Sequence, residues 1–205
     1  MDGIFFVYLR GMNFLGHLFF SNDDHQLMYA NLNGDFVRGR DLSHFPKKLE
    51  QGILLHRMID DYIDHHPIVL ELLHQLYEPL PKVAGIAVDL FFDHILAQYW
   101  DQFHPQALDK FIDGFYAAEL ENSYLYSDNF KYMLARMKEN NWLYQYQFEY
   151  GLMRACKGVS SRISFPNVLD TAHRVFKTYE EEVEKSFFGF MEEAIPHHRD
   201  FLAKM

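Results

Sequence analysis

Two stretches of this chain place acids and imidazoles among apolar residues. In LEQGILLHRMIDDYID, residues 49–64, His56, Asp60 and Asp64 stand at i, i+4 and i+8. At ~100° per residue they cover only about 80° of a helix surface, on the side that also carries Leu49, Ile53 and Ile63. Asp61 and His65 point the other way, toward the expected solvent face. In residues 83–100, Asp89 and Asp93 are again i, i+4 and share a face with Ile86, Leu90, Leu96 and Trp100, and His94 follows directly. Nearer the front, His17 lies in NFLGHLFF and Asp35 in NLNGDFVRG. A buried carboxylate is costly unless it is paired, hydrogen-bonded or bound to a metal. His17, Asp35, His56, Asp60, Asp64, Asp89, Asp93 and His94 therefore read as one polar centre. Carboxylates with a few imidazoles and no thiolate suit Mn²⁺, Fe²⁺ or Mg²⁺ and admit Zn²⁺. Such an ion activates water and neutralises a phosphate oxygen. Structural ties fit the same spacing: Asp60 could pair with Arg57 or hold His56, and Asp93 with His94 could tie two helices together. The spacing does not name a reaction.

The elements that must position these residues read as helices throughout. Gly and Pro number 11 and 7 in 205 residues and fall between periodic runs. Phe130, Met133, Leu134 and Met137 form an amphipathic stripe. Pro46 precedes a run to about Asp64, Pro67 opens the next at a favoured first-turn position, and Pro79 and Pro81 mark a loop before a run from Val83 to Gln102. Pro105 is expected to start a helix to about Leu120. Residues 142–157 and 167–191 read as two more, with Asn167 a plausible N-cap. Pro196 is expected to break the last before a short C-terminal stretch. With no repeat, linker or low-complexity segment, one all-α domain of about eight helices over residues 12–205 is the economical reading.

Composition narrows the classes. Lys plus Arg is 19 and Asp plus Glu is 29, a formal charge of −10, which argues against a general nucleic-acid binder. The single Cys156 excludes an internal disulfide and a Cys-rich zinc module and fits a reducing cytoplasm. No run of ~18 apolar residues predicts a membrane span. Residues 1–11 lack the basic start of a secretory signal and read as an extension outside the fold, because the stronger pattern opens at Met12. Abundant aromatics, 20 Phe and 13 Tyr, would serve a monomer or a homodimer.

The same blocks carry a family resemblance. MNFLGHLFF at 12–20, GDFVRG at 34–39, GILLHRMIDDYIDHHP at 52–67 and AVDLFFDHILAQYW at 87–100 resemble, in order, the acyl carrier protein phosphodiesterase family. WLYQY at 142–146 and the region of Arg162 resemble it more weakly. Ile63 and Gly16 depart from the usual Thr and Ala, and neither change removes a ligand type. The resemblance implies an all-α fold distantly similar to HD-domain metal phosphohydrolases. It implies hydrolysis of the phosphodiester joining 4′-phosphopantetheine to a serine of holo acyl carrier protein, with a divalent cation, usually Mn²⁺. By the resemblance the family's key acid falls on Asp35, and its metal-site elements fall on His56, Asp60 and Asp64 and on Asp89, Asp93 and His94. His17 matches the histidine of the opening block, and His66 is expected behind the ligands.

On this reading His17 or a carboxylate steers the water or protonates the leaving oxygen, and Arg38 and Arg57 are candidates to bind phosphate. The carrier is expected to be acidic, so docking needs a local basic patch. Two candidates are Arg38, Arg40, Lys47, Lys48 and Arg57, and Arg136, Lys138, Arg154, Lys157 and Arg162. Two other readings remain: a metal phosphohydrolase acting on a nucleotide or other small phosphoester, and a non-enzymatic helical binding protein.

Overall fold

The architecture follows from one helix that is buried all round. In the computed structural model, which describes residues 14–205, α5 (Ala84–Gln98) hides nearly every side chain from Ala87 to Ala97. Such a helix must sit in the middle of a bundle. Packed against it are α1 (Phe14–Phe19), α4 (Pro67–Leu76), α10 (Glu149–Ser160) and α12 (Glu180–Ala203). The remaining helices are α2 (His25–Leu32), α3 (Lys47–His65), α6 (Trp100–Phe103), α7 (Leu108–Ala117), α8 (Asp128–Glu139), α9 (Trp142–Gln145) and α11 (Ala172–Thr178). A 3-10 turn, Asn33–Phe36, links α2 toward α3. The described residues thus form a single all-α domain with no strand. No helix among them is long and apolar enough to cross a membrane. Residues 1–11, read above as an extension, lie outside the described residues.

Local chemistry sets the boundaries. Asp24 caps α2 by accepting the Leu27 N–H at 3.0 Å, and Ser127 caps α8 through the Phe130 N–H at 3.2 Å. His66 is extended before Pro67, which ends α3 and lets Pro67 occupy the first turn of α4. In its second turn, α3 lies very close to α2: a Cβ on Gly52 would stand 2.2 Å from the Cβ of Ala30. Only a glycine admits that approach, and it brings the polar end of α2 beside His56.

Several features differ from the sequence reading. The run 83–102 is two helices, divided at Tyr99, and the region 167–191 is a 3-10 turn followed by α11 and α12, divided at Tyr179. The run 142–157 likewise divides into α9 and α10. A departure of one to three residues leaves the apolar spacing nearly intact, so twelve helices read as about eight. The helix expected from Pro105 begins at Leu108, because Gln106 is held in a loop whose carbonyl accepts the Trp100 indole N–H at 2.8 Å. Pro196 does not break α12. Its missing N–H costs one ladder bond, but Met191, Ala194 and His198 are buried on either side of it, and that packing carries the helix through. Asn167 is not the N-cap expected: that position falls on Val168, at the start of a 3-10 turn, and Asn167 accepts the Leu169 N–H at 3.1 Å from one residue earlier.

Candidate metal centre

The polar centre gathers where α1, α2, the 3-10 turn and α3 meet. His17 comes from α1, Asn31 from α2, Asp35 from the turn, and His56 and Asp60 from successive turns of α3. His17 and His56 are buried, and their rings stack with centroids 4.4 Å apart. The two Nε2 atoms face the two oxygens of one carboxylate: His17 Nε2 is 3.3 Å from Asp60 Oδ1, and His56 Nε2 is 3.2 Å from Asp60 Oδ2. Asp35 Oδ1 approaches the same His56 nitrogen at 3.3 Å. Gly34 makes room for this, because a Cβ there would lie 2.2 Å from His56 Cγ. The glycine beside Asp35 is the seat of the His56 ring.

The tautomer of His17 is set by its neighbours. Asn31 Nδ2 donates to the His17 carbonyl at 2.9 Å and to Ser21 Oγ at 3.0 Å, which leaves Asn31 Oδ1 as an acceptor. His17 Nδ1 lies 2.8 Å from that oxygen and must donate to it. In the neutral ring, Nε2 then presents its lone pair to the carboxylate oxygen of Asp60. Two acceptors face one another across 3.3 Å. Both His17 Nε2 and Asp60 Oδ1 are buried with no hydrogen-bond partner among the described residues.

The electrostatics agree with a site built for positive charge. Burial alone would lower the His56 pKa, but its hydrogen bonds to Asp35 and Asp60 outweigh that and push it up to about 9. Burial would raise Asp60, yet His17 and His56 hold it well below the usual carboxylate range. Burial raises the carboxyl of Asp35, only partly offset by His56. His17, His56 and Asp60 can each offer one ligand atom, all within 4.8 Å of one another. Two imidazole nitrogens and a carboxylate suit a divalent transition ion, and a far ring nitrogen bound to an amide oxygen is how ligating histidines are commonly held.

Other residues expected at the centre lie elsewhere. Asp93 is buried in α5 and accepts the backbone N–H groups of Leu15 at 3.0 Å and Gly16 at 2.9 Å. It caps the first turn of α1, and although those amides favour the ion, burial pushes its pKa up to about 8. His94 turns to the Tyr146 carbonyl and packs edge-on against Phe176, and burial lowers its pKa. The reason is common to both: α5 has no solvent face, so a polar residue on it signals burial but not direction. Asp64 is exposed and Asp89 half-buried, and neither joins the His17–His56–Asp60 group. His66 is buried at the start of α4, 3.4 Å from Glu193 and edge-on to Phe190. Arg57 donates to the carbonyls of Val37 at 3.3 Å and Gly39 at 2.7 Å, so it holds the loop that follows Asp35. Arg38 is exposed on that loop. The reading of the sequence missed Asn31 and Ser21. A signal was present for Asn31, a polar residue inside LMYANL at 27–32, but not for Ser21, which opens the polar run SNDD at 21–24.

The comparisons with known proteins bear on the same residues. A family model described as acyl carrier protein phosphodiesterase matches residues 12–194. The chain is 37% identical over 94 residues to proteins named acyl carrier protein phosphodiesterase from Salmonella agona (strain SL483) and Salmonella newport (strain SL254). Each match covers 46% of this chain and 49% of the relative, so the chain spans about half the length of the curated relatives it matches. No solved structure matches it, and the expected likeness to HD-domain phosphohydrolases gains no support from that comparison.

Proposed function

The chain belongs to the acyl carrier protein phosphodiesterase family, and from that premise we propose that it hydrolyses the phosphodiester linking 4′-phosphopantetheine to a serine of holo acyl carrier protein. The observation that carries the reading is the meeting of His17 Nε2 with Asp60 Oδ1, two buried acceptors that only a proton or a cation can reconcile. His17, His56 and Asp60 would hold a divalent ion, Mn²⁺ being the first choice. When bound, it supplies charge to polarise a phosphoryl oxygen and to acidify a water.

The chain's own residues have distinct tasks. Asn31 keeps the His17 proton on Nδ1, so that Nε2 stays a donor of electrons. Asp60 offers one oxygen to each imidazole and fixes their separation. Asp35, at the His56 nitrogen and with a raised pKa, is suited to take a proton from the attacking water or return one to the serine oxygen. Arg57 positions Asp35 indirectly by holding residues 37–39. Asp93 keeps α1, and with it His17, in register.

The test uses purified full-length protein and holo acyl carrier protein, with and without Mn²⁺, following the carrier by mass spectrometry. Loss of the phosphopantetheine mass only with Mn²⁺, reduced at least ~100-fold in Asp60→Asn, is expected, since loss of ligands and their supporting partners typically costs 10–100-fold or more. Metal binding without any change in the carrier would move the reading to a smaller phosphoester. Neither binding nor turnover would leave a non-enzymatic binding protein.

A further inference from the structure

Three arginines from the second basic group converge on a single cavity. It measures about 250 Å³ and is lined by Arg136, Arg154 and Arg162 together with Trp142, Phe14 and Tyr146. None of its lining residues among the described ones is acidic, in a chain of net charge −10. Arg136 comes from α8, Trp142 from α9 and Arg154 from α10, and Arg162 follows α10. Arg136 is neutralised by Glu139 at 2.6 Å. The other two meet only uncharged groups among the described residues. Arg154 donates to Gln145 Oε1 at 3.0 Å, and Arg162 lies over the Trp142 ring at 5.9 Å. Gln145 is itself anchored, its Nε2 donating to the Asn140 carbonyl at 2.8 Å, so its oxygen stays turned to Arg154. Like charges brought together without a counter-ion repel, and an anion between them removes that cost.

The size and the wall select the anion. A space of this volume accepts a small molecule and not a helix or strand of a partner. Two guanidinium groups without carboxylate partners match a dianion with three acceptor oxygens better than a singly charged carboxylate. The indole of Trp142 and the ring of Phe14, stacked with centroids 6.5 Å apart, offer an apolar surface for carbon next to that charge. None of His17, His56 or Asp60 lines the cavity, so it is separate from the metal centre. We propose that this cavity binds a small phosphate monoester, its dianion held by Arg154 and Arg162 and its carbon portion laid on Trp142. The proposal does not depend on the phosphodiesterase reading.

The test is calorimetric titration of the full-length protein with phenyl phosphate, inorganic phosphate and benzoate. EDTA in the buffer prevents phosphate from binding through a metal. Phenyl phosphate should saturate with a dissociation constant below about 1 mM, inorganic phosphate should bind more weakly, and benzoate should not bind measurably. Arg154→Gln and Arg162→Gln, both at exposed positions, should each weaken phenyl phosphate about tenfold or more. Arg174→Gln, exposed on α11 and outside the cavity, should change it less than about twofold. Absence of saturable binding overturns the proposal. So does binding that survives both cavity substitutions, an equal loss in Arg174→Gln, or benzoate binding as well as phenyl phosphate.

Discussion

His56 must give up a proton before its Nε2 can hold a cation. Asp35 and Asp60 keep that proton in place up to about pH 9, against an ordinary value near 6.5. Metal affinity should therefore climb about tenfold per pH unit from roughly pH 6.5 to 8.5, one proton being released for each ion bound. Titration of Mn²⁺ in buffers of different ionisation heat would show this release, and an affinity independent of pH would remove His56 from the ligand set. At this scale the sequence was legible where a residue's direction is fixed by a one-sided helix. On α3, His56 and Asp60 fall within about 60° of the middle of the buried stripe, and they are in the centre. Asp64, two helical turns beyond His56, has drifted about 80° around the cylinder and out to solvent. The tautomer of His17 was not legible, because it depends on Asn31, fourteen residues away on another helix.

Among the elements, α1 depends most on its neighbours. It has six residues, too few to hold itself in water, and two of its first N–H groups end on one carboxylate of α5. Asp93→Asn removes one acceptor and faces the amide with a donor. The cost should be about 1–3 kcal/mol of stability, measured by urea denaturation. Mn²⁺ affinity should fall by no more than a few-fold, because Asp93 supports His17 without belonging to the group that meets at Asp60. Loss of metal with unchanged stability would reverse that assignment and return Asp93 to the ligands. The sequence showed that α5 holds acids among apolar residues but could not say what they touch. A helix buried on every side has many neighbours, and only packing decides which of them receives Asp93 and which receives His94. The reverse holds for α4, where Pro67 and the extended His66 fix the boundary by themselves.

At the scale of the molecule, a cation at His17, His56 and Asp60 would join α1 to α3, segments that otherwise meet there through the stacked rings of His17 and His56 and the facing acceptors of His17 and Asp60. Binding to the folded state alone must stabilise it. With Mn²⁺ about 100-fold above its dissociation constant the gain is about 2.7 kcal/mol. For a chain of this length that amounts to roughly 5–11 °C in Tm. The rise should vanish in Asp60→Asn, and a melting temperature indifferent to Mn²⁺ in the wild-type chain would count against the metal centre. The fold class was legible throughout, since period and punctuation are local properties. The number of helices was not, because breaks at Tyr99 and Tyr179 and the passage through Pro196 are decided by what packs on either side.

The cap on α1 also bears on how the protein is made. Leu15 and Gly16 leave the ribosome 77 to 78 residues before the carboxylate that secures them. Asn31, Asp35, His56 and Asp60 all emerge in that interval, so the nascent chain holds every other member of the centre while His17 has no fixed place. A stall or truncation before residue 93 would leave two of the three cation ligands, His56 and Asp60, on a ribosome-bound chain without the helix that fixes the third. The order of synthesis thus makes α5 the last part required, and its arrival orders a residue that was translated near the start.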